Sequence, residues 1–94
     1  MPNISAIDET ARQELLTRLR RIEGQARGIQ KMIEDGRDCE LIMNQVSSMG
    51  SATQGLNGRL LELYALYCMS HPDEFGSPEQ AVSRMVGRLV RTIR

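Results

Sequence analysis

Tryptophan is absent from this 94-residue chain, phenylalanine occurs once and tyrosine twice. The core therefore cannot be built on aromatic rings. It rests on Leu, Ile, Val and Met, and a chain of this length buries only a modest core unless an oligomer interface enlarges it. Cysteine occurs twice, too sparse and too widely spaced for the disulfide framework of a small secreted domain. No apolar run approaches the about 20 residues of a membrane span, and the N-terminal MPNISAIDET has no basic-then-apolar leader. The absences predict a single domain over residues 1–94, cytoplasmic and with no membrane partner. No nucleophile–histidine–acid constellation, phosphate-binding loop or paired-carboxylate motif is present, so the chain reads as a non-enzyme with no cofactor.

Lysine is nearly absent too. Eleven of the twelve basic residues are arginine, the planar donor suited to phosphate, although the formal net charge is zero. The distribution says more than the sum. Arg12, Arg18, Arg20, Arg21 and Arg27 fall on one predicted helix, and Arg84, Arg88, Arg91 and Arg94 follow the last acid, Glu79. The acids gather near predicted helix starts and loops, where they complement helix dipoles. By itself the arginine set fits a solvated helix face as well as a nucleic-acid surface.

The spacing predicts three helices and no strand. In the first, Ser5 as N-cap and Asp8 three residues on form a capping-box-like pair. Its stripe of Leu15, Leu19, Ile22, Ala26, Ile29 and Ile33 is heptad-like and stops at Gly36, a usual residue just past a helix end. The second helix starts at the N-cap Asp38 and runs to about Ser70. Its seam is Ile42, Val46, Met49, Leu56, Leu60, Leu63 and Tyr67. The stretch SSMGSATQGLNG, rich in poor helix formers, lies inside it, with the apolar phase uninterrupted on either side. After His71-Pro72, Ser77 as N-cap, Pro78 and Gln80 open a third helix with the apolar face Val82, Met85, Val86, Leu89, Val90 and Ile93. Two long helices joined by a two-residue turn make an αα-hairpin that cannot cover both its faces. Two such hairpins packed antiparallel make a four-helix-bundle dimer, and a dimer of dimers makes a tetramer.

Cys39 and Cys68 fall at opposite ends of the second helix, about 43 Å apart at about 1.5 Å per residue. A disulfide requires Cα atoms within about 7 Å, so the two cannot join within one helix. An antiparallel partner helix would set Cys39 of one subunit beside Cys68 of the other, twice by symmetry. Two unrelated small core residues would fit the spacing equally well.

The segment RLRRIEGQARGIQKMIEDGRDC, residues 18–39, resembles the opening of the CsoR/RcnR/FrmR family of bacterial transcriptional repressors, and the similarity continues through the second helix. The resemblance implies an all-α, disc-shaped tetramer that binds operator DNA and is released by an inducer at an inter-subunit cysteine site. Copper sensors of the family place a His four residues before the second Cys; here Tyr64 stands at that position. A phenol is a poor Cu(I) ligand. With that and the GRDC run, the chain looks like the CstR-like branch, which senses persulfides. In that branch's chemistry, Cys39 near the start of the second helix, beside Arg37, is placed to act as a thiolate. Cys68 of the partner resolves the product into an inter-subunit bridge.

Some features pull elsewhere. Many family members carry a basic residue eleven positions after the first cysteine, where this chain has Gly50. DNA contact then falls to Arg18, Arg20, Arg21 and Arg59. Met1-Pro2 and QGLNGRLLE resemble the formaldehyde-sensing branch, with Pro2 and Cys39 as the reacting pair. His71, three residues after Cys68, is a weak third metal ligand candidate. A sulfur or redox carrier that binds no DNA is the reading outside the repressor class.

Overall fold

The computed structural model describes residues 3–93. Three α-helices carry the chain: α1 over Glu9–Glu34, α2 over Cys39–Ser70 and α3 over Pro78–Ile93. Single 3-10 turns at Ile4–Ala6 and Pro72–Phe75 precede the first and the last. Among the described residues there is no strand, and no helix is long and apolar enough to cross a membrane.

Helix α1 begins later than the sequence suggests. Ser5 does not cap it; its N–H and hydroxyl both donate to Asn3 Oδ1 at 3.0 Å inside the first 3-10 turn. Ile7 is extended, and Asp8 is the cap, its Oδ2 accepting from Thr10 N at 3.1 Å and Ala11 N at 3.4 Å. An ionised carboxylate at the positive end of the helix prevails over a serine three residues earlier. At the other end Gly36 takes a left-handed φ of 68°. Gly36 N–H donates to Ile33 O at 3.1 Å and Arg37 N–H to Met32 O at 3.0 Å, the paired bonds of a Schellman stop. Only Gly36 and Arg37 separate the C-cap Asp35 from the N-cap Asp38.

Helix α2 is continuous for 32 residues, straight through the serine- and glycine-rich stretch. Ser51 and Thr53 turn their hydroxyls back onto the carbonyls of Ser47 at 3.3 Å and Met49 at 2.9 Å, which removes them as competitors of the helix. At α3, Ser77 Oγ accepts from Gln80 N at 3.2 Å, and Pro78 opens the helix.

The helices lie almost in a single layer. The molecule measures 55 × 29 × 14 Å and its radius of gyration is 17.3 Å, against about 12 Å for a compact domain of this length. Of the predicted α1 stripe, Leu15 and Ile29 are buried, while Leu19 is 46% and Ile33 61% exposed. Val46 and Leu60 of α2 and Val82, Val86, Leu89 and Val90 of α3 are exposed as well.

Candidate functional site

Asp38 fixes the start of α2 by accepting from Leu41 N at 3.3 Å, and this puts Cys39 in the first turn with its side chain exposed. Arg37 is exposed beside it. Cys68, two residues before the helix ends, is 1% exposed, the most fully enclosed side chain among the described residues. Because α2 is unbroken, the two sulfurs sit about 43 Å apart along it, and each is a free thiol. The structure thus keeps the two cysteines of one chain apart. Pro2, the other candidate partner of Cys39, lies outside the described residues.

Cys68 is closed in by the start of α3. Met69, Pro72, Pro78, Ala81, Val82 and Met85 line an apolar hollow of about 210 Å³ against it. Tyr64 stands one turn back on the same face of α2. Burial, then the charge of Cys68, push the phenol above its usual range, and Arg84 and Arg88 of α3 act in the opposite direction. His71 is engaged elsewhere. Its ring stacks on Tyr67 with centroids 4.2 Å apart, its backbone N–H donates to Tyr67 O at 2.9 Å, and Tyr67 donates its hydroxyl to Glu74. Among the described residues no group of three or more His, Cys, Asp or Glu side chains could hold a metal ion within the chain. With a phenol where an imidazole would serve, the surroundings of Cys68 do not make a soft-metal donor set.

The arginines separate into two groups. Arg59 Nε lies 2.9 Å from Glu14 Oε2 and Arg59 Nη1 3.2 Å from Glu62, while Arg18 Nε reaches the same Glu14 oxygen at 3.4 Å. The Arg59 hydrogen bond, ahead of its charge and of Arg18, holds the Glu14 carboxyl below its usual range. Arg59 therefore ties α1 to α2, and Arg18 flanks that tie. Arg20 and Arg21 are exposed, and among the described residues no ion pair engages them. Gly50 is exposed on α2, with nothing within 4 Å of where a Cβ would stand. Sequence reasoning missed Glu14, whose helical spacing to Arg18 was visible, and the approach of Arg84 and Arg88 to Tyr64, for which no short-range signal exists.

The family model for metal-sensitive transcriptional repressors matches residues 11–94. The chain is 39% identical over 75 residues to the copper-sensing transcriptional repressor CsoR of Bacillus subtilis, covering 80% of this chain and 74% of that protein. It is 35% identical over 80 residues to the copper-sensing repressor RicR of Mycobacterium tuberculosis, covering 80% and 83%. Among solved structures, the copper-sensing repressor CsoR with Cu(I) from Geobacillus thermodenitrificans superposes with a TM-score of 0.80 at 32% identity, over 100% of this chain and 94% of that one. A single-residue variant of the formaldehyde-responsive regulator FrmR from Salmonella enterica gives 0.69 at 29% identity over 89% and 94%. With the family model spanning nearly the whole chain, this protein belongs to the CsoR/RcnR family of metal-sensitive transcriptional repressors.

Proposed function

We propose that this repressor binds operator DNA as a homotetramer and senses reactive sulfur species through Cys39 of one subunit and Cys68 of its partner. The observation that carries this reading is the unbroken α2, which holds Cys39 and Cys68 at opposite ends and sets Tyr64, not an imidazole, one turn before Cys68. Two thiols without an imidazole suit sulfur chemistry better than soft-metal ligation. The exposed apolar residues of a single-layer protomer favour an antiparallel partner hairpin, which would bring the two ends of α2 together.

The chemistry balances on the inducer alone. The Cys39 thiolate attacks the outer sulfur of a persulfide or polysulfide, forming an S–S bond and expelling the remainder as a thiolate. The partner's thiol at position 68, deprotonated to solvent, then attacks Cys39 Sγ and expels hydrosulfide. The two cysteines are oxidised to a disulfide and the inducer's sulfane sulfur is reduced. A second equivalent of the inducer, adding a sulfur to the partner's thiol at position 68 before it attacks Cys39 Sγ, gives a bridge longer by one sulfur and again expels hydrosulfide. Either cross-link fixes the subunits in an arrangement unsuited to DNA.

Likeness to the copper sensors favours a second reading, Cu(I) as inducer; Tyr64 counts against it. Anisotropy of labelled operator DNA distinguishes them. Polysulfide should release the DNA, and reductant should restore binding, while Cu(I) and formaldehyde leave the complex intact. Release by Cu(I) held against a strong competing chelator, with polysulfide inert, would overturn the sulfur reading.

A further inference from the structure

The two thiols stand in opposite surroundings. Cys39 is exposed in the first turn of α2, open to any reagent in solvent. Cys68 is 1% exposed and forms part of the wall of the apolar hollow between the end of α2 and the start of α3. Ala81, 3% exposed, shares its depth, while Met69 and Val82 are exposed and stand at its rim. Apart from the thiol, every lining side chain is that of a proline, an alanine, a valine or a methionine. At about 210 Å³ the hollow is larger than an apolar cavity of about 150 Å³ that stays dry and accepts benzene. We propose that this hollow is the binding and entry site through which small, uncharged, thiol-reactive molecules reach Cys68, and that it keeps charged ones out.

The lining decides the class of molecule. A charged group entering the hollow would leave water and meet no partner there, at a cost far above that of an apolar group. Met69 and Met85 are polarizable and adapt their shape to a guest. The consequence for induction rests on the sulfur-sensing reading. The donor that modifies Cys68 is then a short, uncharged persulfide. Cys68 Sγ bonds to the donor's outer sulfur, the donor's S–S bond breaks, and the inner sulfur leaves as a thiolate that takes up the thiol proton. Cys68 ends as a persulfide and the donor as a thiol. A charged, peptide-sized donor reaches Cys39 alone and gives the plain disulfide. A short uncharged one also loads Cys68 and gives the longer bridge.

The test uses full-length Cys39→Ala protein, whose one thiol is Cys68, with full-length Cys68→Ala protein as its counterpart. The probes are methanethiosulfonates that carry a methyl, an ethylsulfonate or an ethyltrimethylammonium group. With each, the thiolate bonds to the transferred sulfur, the sulfonyl–sulfur bond breaks, methanesulfinate leaves with the electron pair, and the thiol proton goes to solvent. Dividing each rate by that of N-acetylcysteine removes the intrinsic reactivity of the reagent. At Cys68 both charged reagents should lag the methyl reagent by about a hundredfold or more, since neither meets a counter-charge in the lining. At Cys39 the normalised rates should nearly agree. Equal rates of charged and neutral reagents at Cys68 would show that solvent reaches the thiol directly and would overturn the proposal. So would a Cys68 inert to every reagent in folded protein. Ala81→Leu, which fills the hollow, should slow transfer of the methylthio group to Cys68 several-fold. The reagent series needs no change in the lining, so it decides even where that variant displaces α3. No DNA and no sulfur donor takes part, so failure here is told apart from failure of the sulfur-sensing reading.

Discussion

At the residue scale, the arginines of α1 divide by what already holds them. Arg20 and Arg21 are exposed and outside the ion pairs of the described residues, and in the proposed function each meets a phosphate. Arg20→Ala and Arg21→Ala should each weaken operator binding and reduce the slope of log K against log salt by about 0.9, read from anisotropy titrations at several salt concentrations. Arg59→Ala should act on the stability of the hairpin instead, because its guanidinium lies between Glu14 and Glu62. Equal loss of salt slope in all three would return Arg59 to the DNA surface. Gly50 invites the opposite experiment. A side chain there meets open space, so Gly50→Ala should raise stability by about 1 kcal/mol through helix propensity alone, measurable by urea unfolding. Gly50→Arg should steepen the salt dependence as well. Cys39, Tyr64 and Cys68 are candidates from the sequence because they sit at fixed offsets in a recognisable run. Glu14 and Arg59 are separated by 45 residues and meet only after the hairpin closes, which no local pattern announces.

At the scale of elements, the caps place the chemistry. Asp38 sets the first residue of α2 and hence the turn in which Cys39 is presented. Asp38→Ala should cost about 1 kcal/mol in thermal or urea unfolding and slow polysulfide attack at Cys39. A full-rate reaction in that variant would show that the helix start does not matter to the thiol. Helix α2 was legible across its glycine- and serine-rich middle because the apolar phase is the same on both sides and packing against α1 outweighs weak propensity. The pattern misled at the start of α1, where Ser5 and Asp8 both look like caps. Position relative to the first buried residue, Ala11, decides in favour of Asp8. The stripe on α1 was read correctly as apolar, but periodicity cannot say which of its members a single chain covers. Leu15 and Ile29 are covered within one chain, and Leu19 and Ile33 are not.

At the scale of the whole molecule, a layer 14 Å thick leaves leucine and valine exposed on its helices. Burying that apolar surface against a second hairpin is worth about 25 cal/mol per Å² and does not depend on the oxidation state of sulfur. Sedimentation in excess reductant should therefore show an oligomer, and a clean monomer at micromolar concentration would remove the basis for an inter-subunit site. In the proposed function Cys39 and Cys68 meet only across subunits, since α2 holds them about 43 Å apart within one. Co-expressing a Cys39→Ala chain with a Cys68→Ala chain tests it most directly, because each chain then keeps one half of the site. After polysulfide treatment, intact mass and peptide mapping should find one chain of each kind joined by a Cys39–Cys68 disulfide or a bridge longer by whole sulfur atoms, with neither variant alone forming that link. A Cys39–Cys68 bridge within single wild-type chains, with none in the mixed protein, would contradict the account.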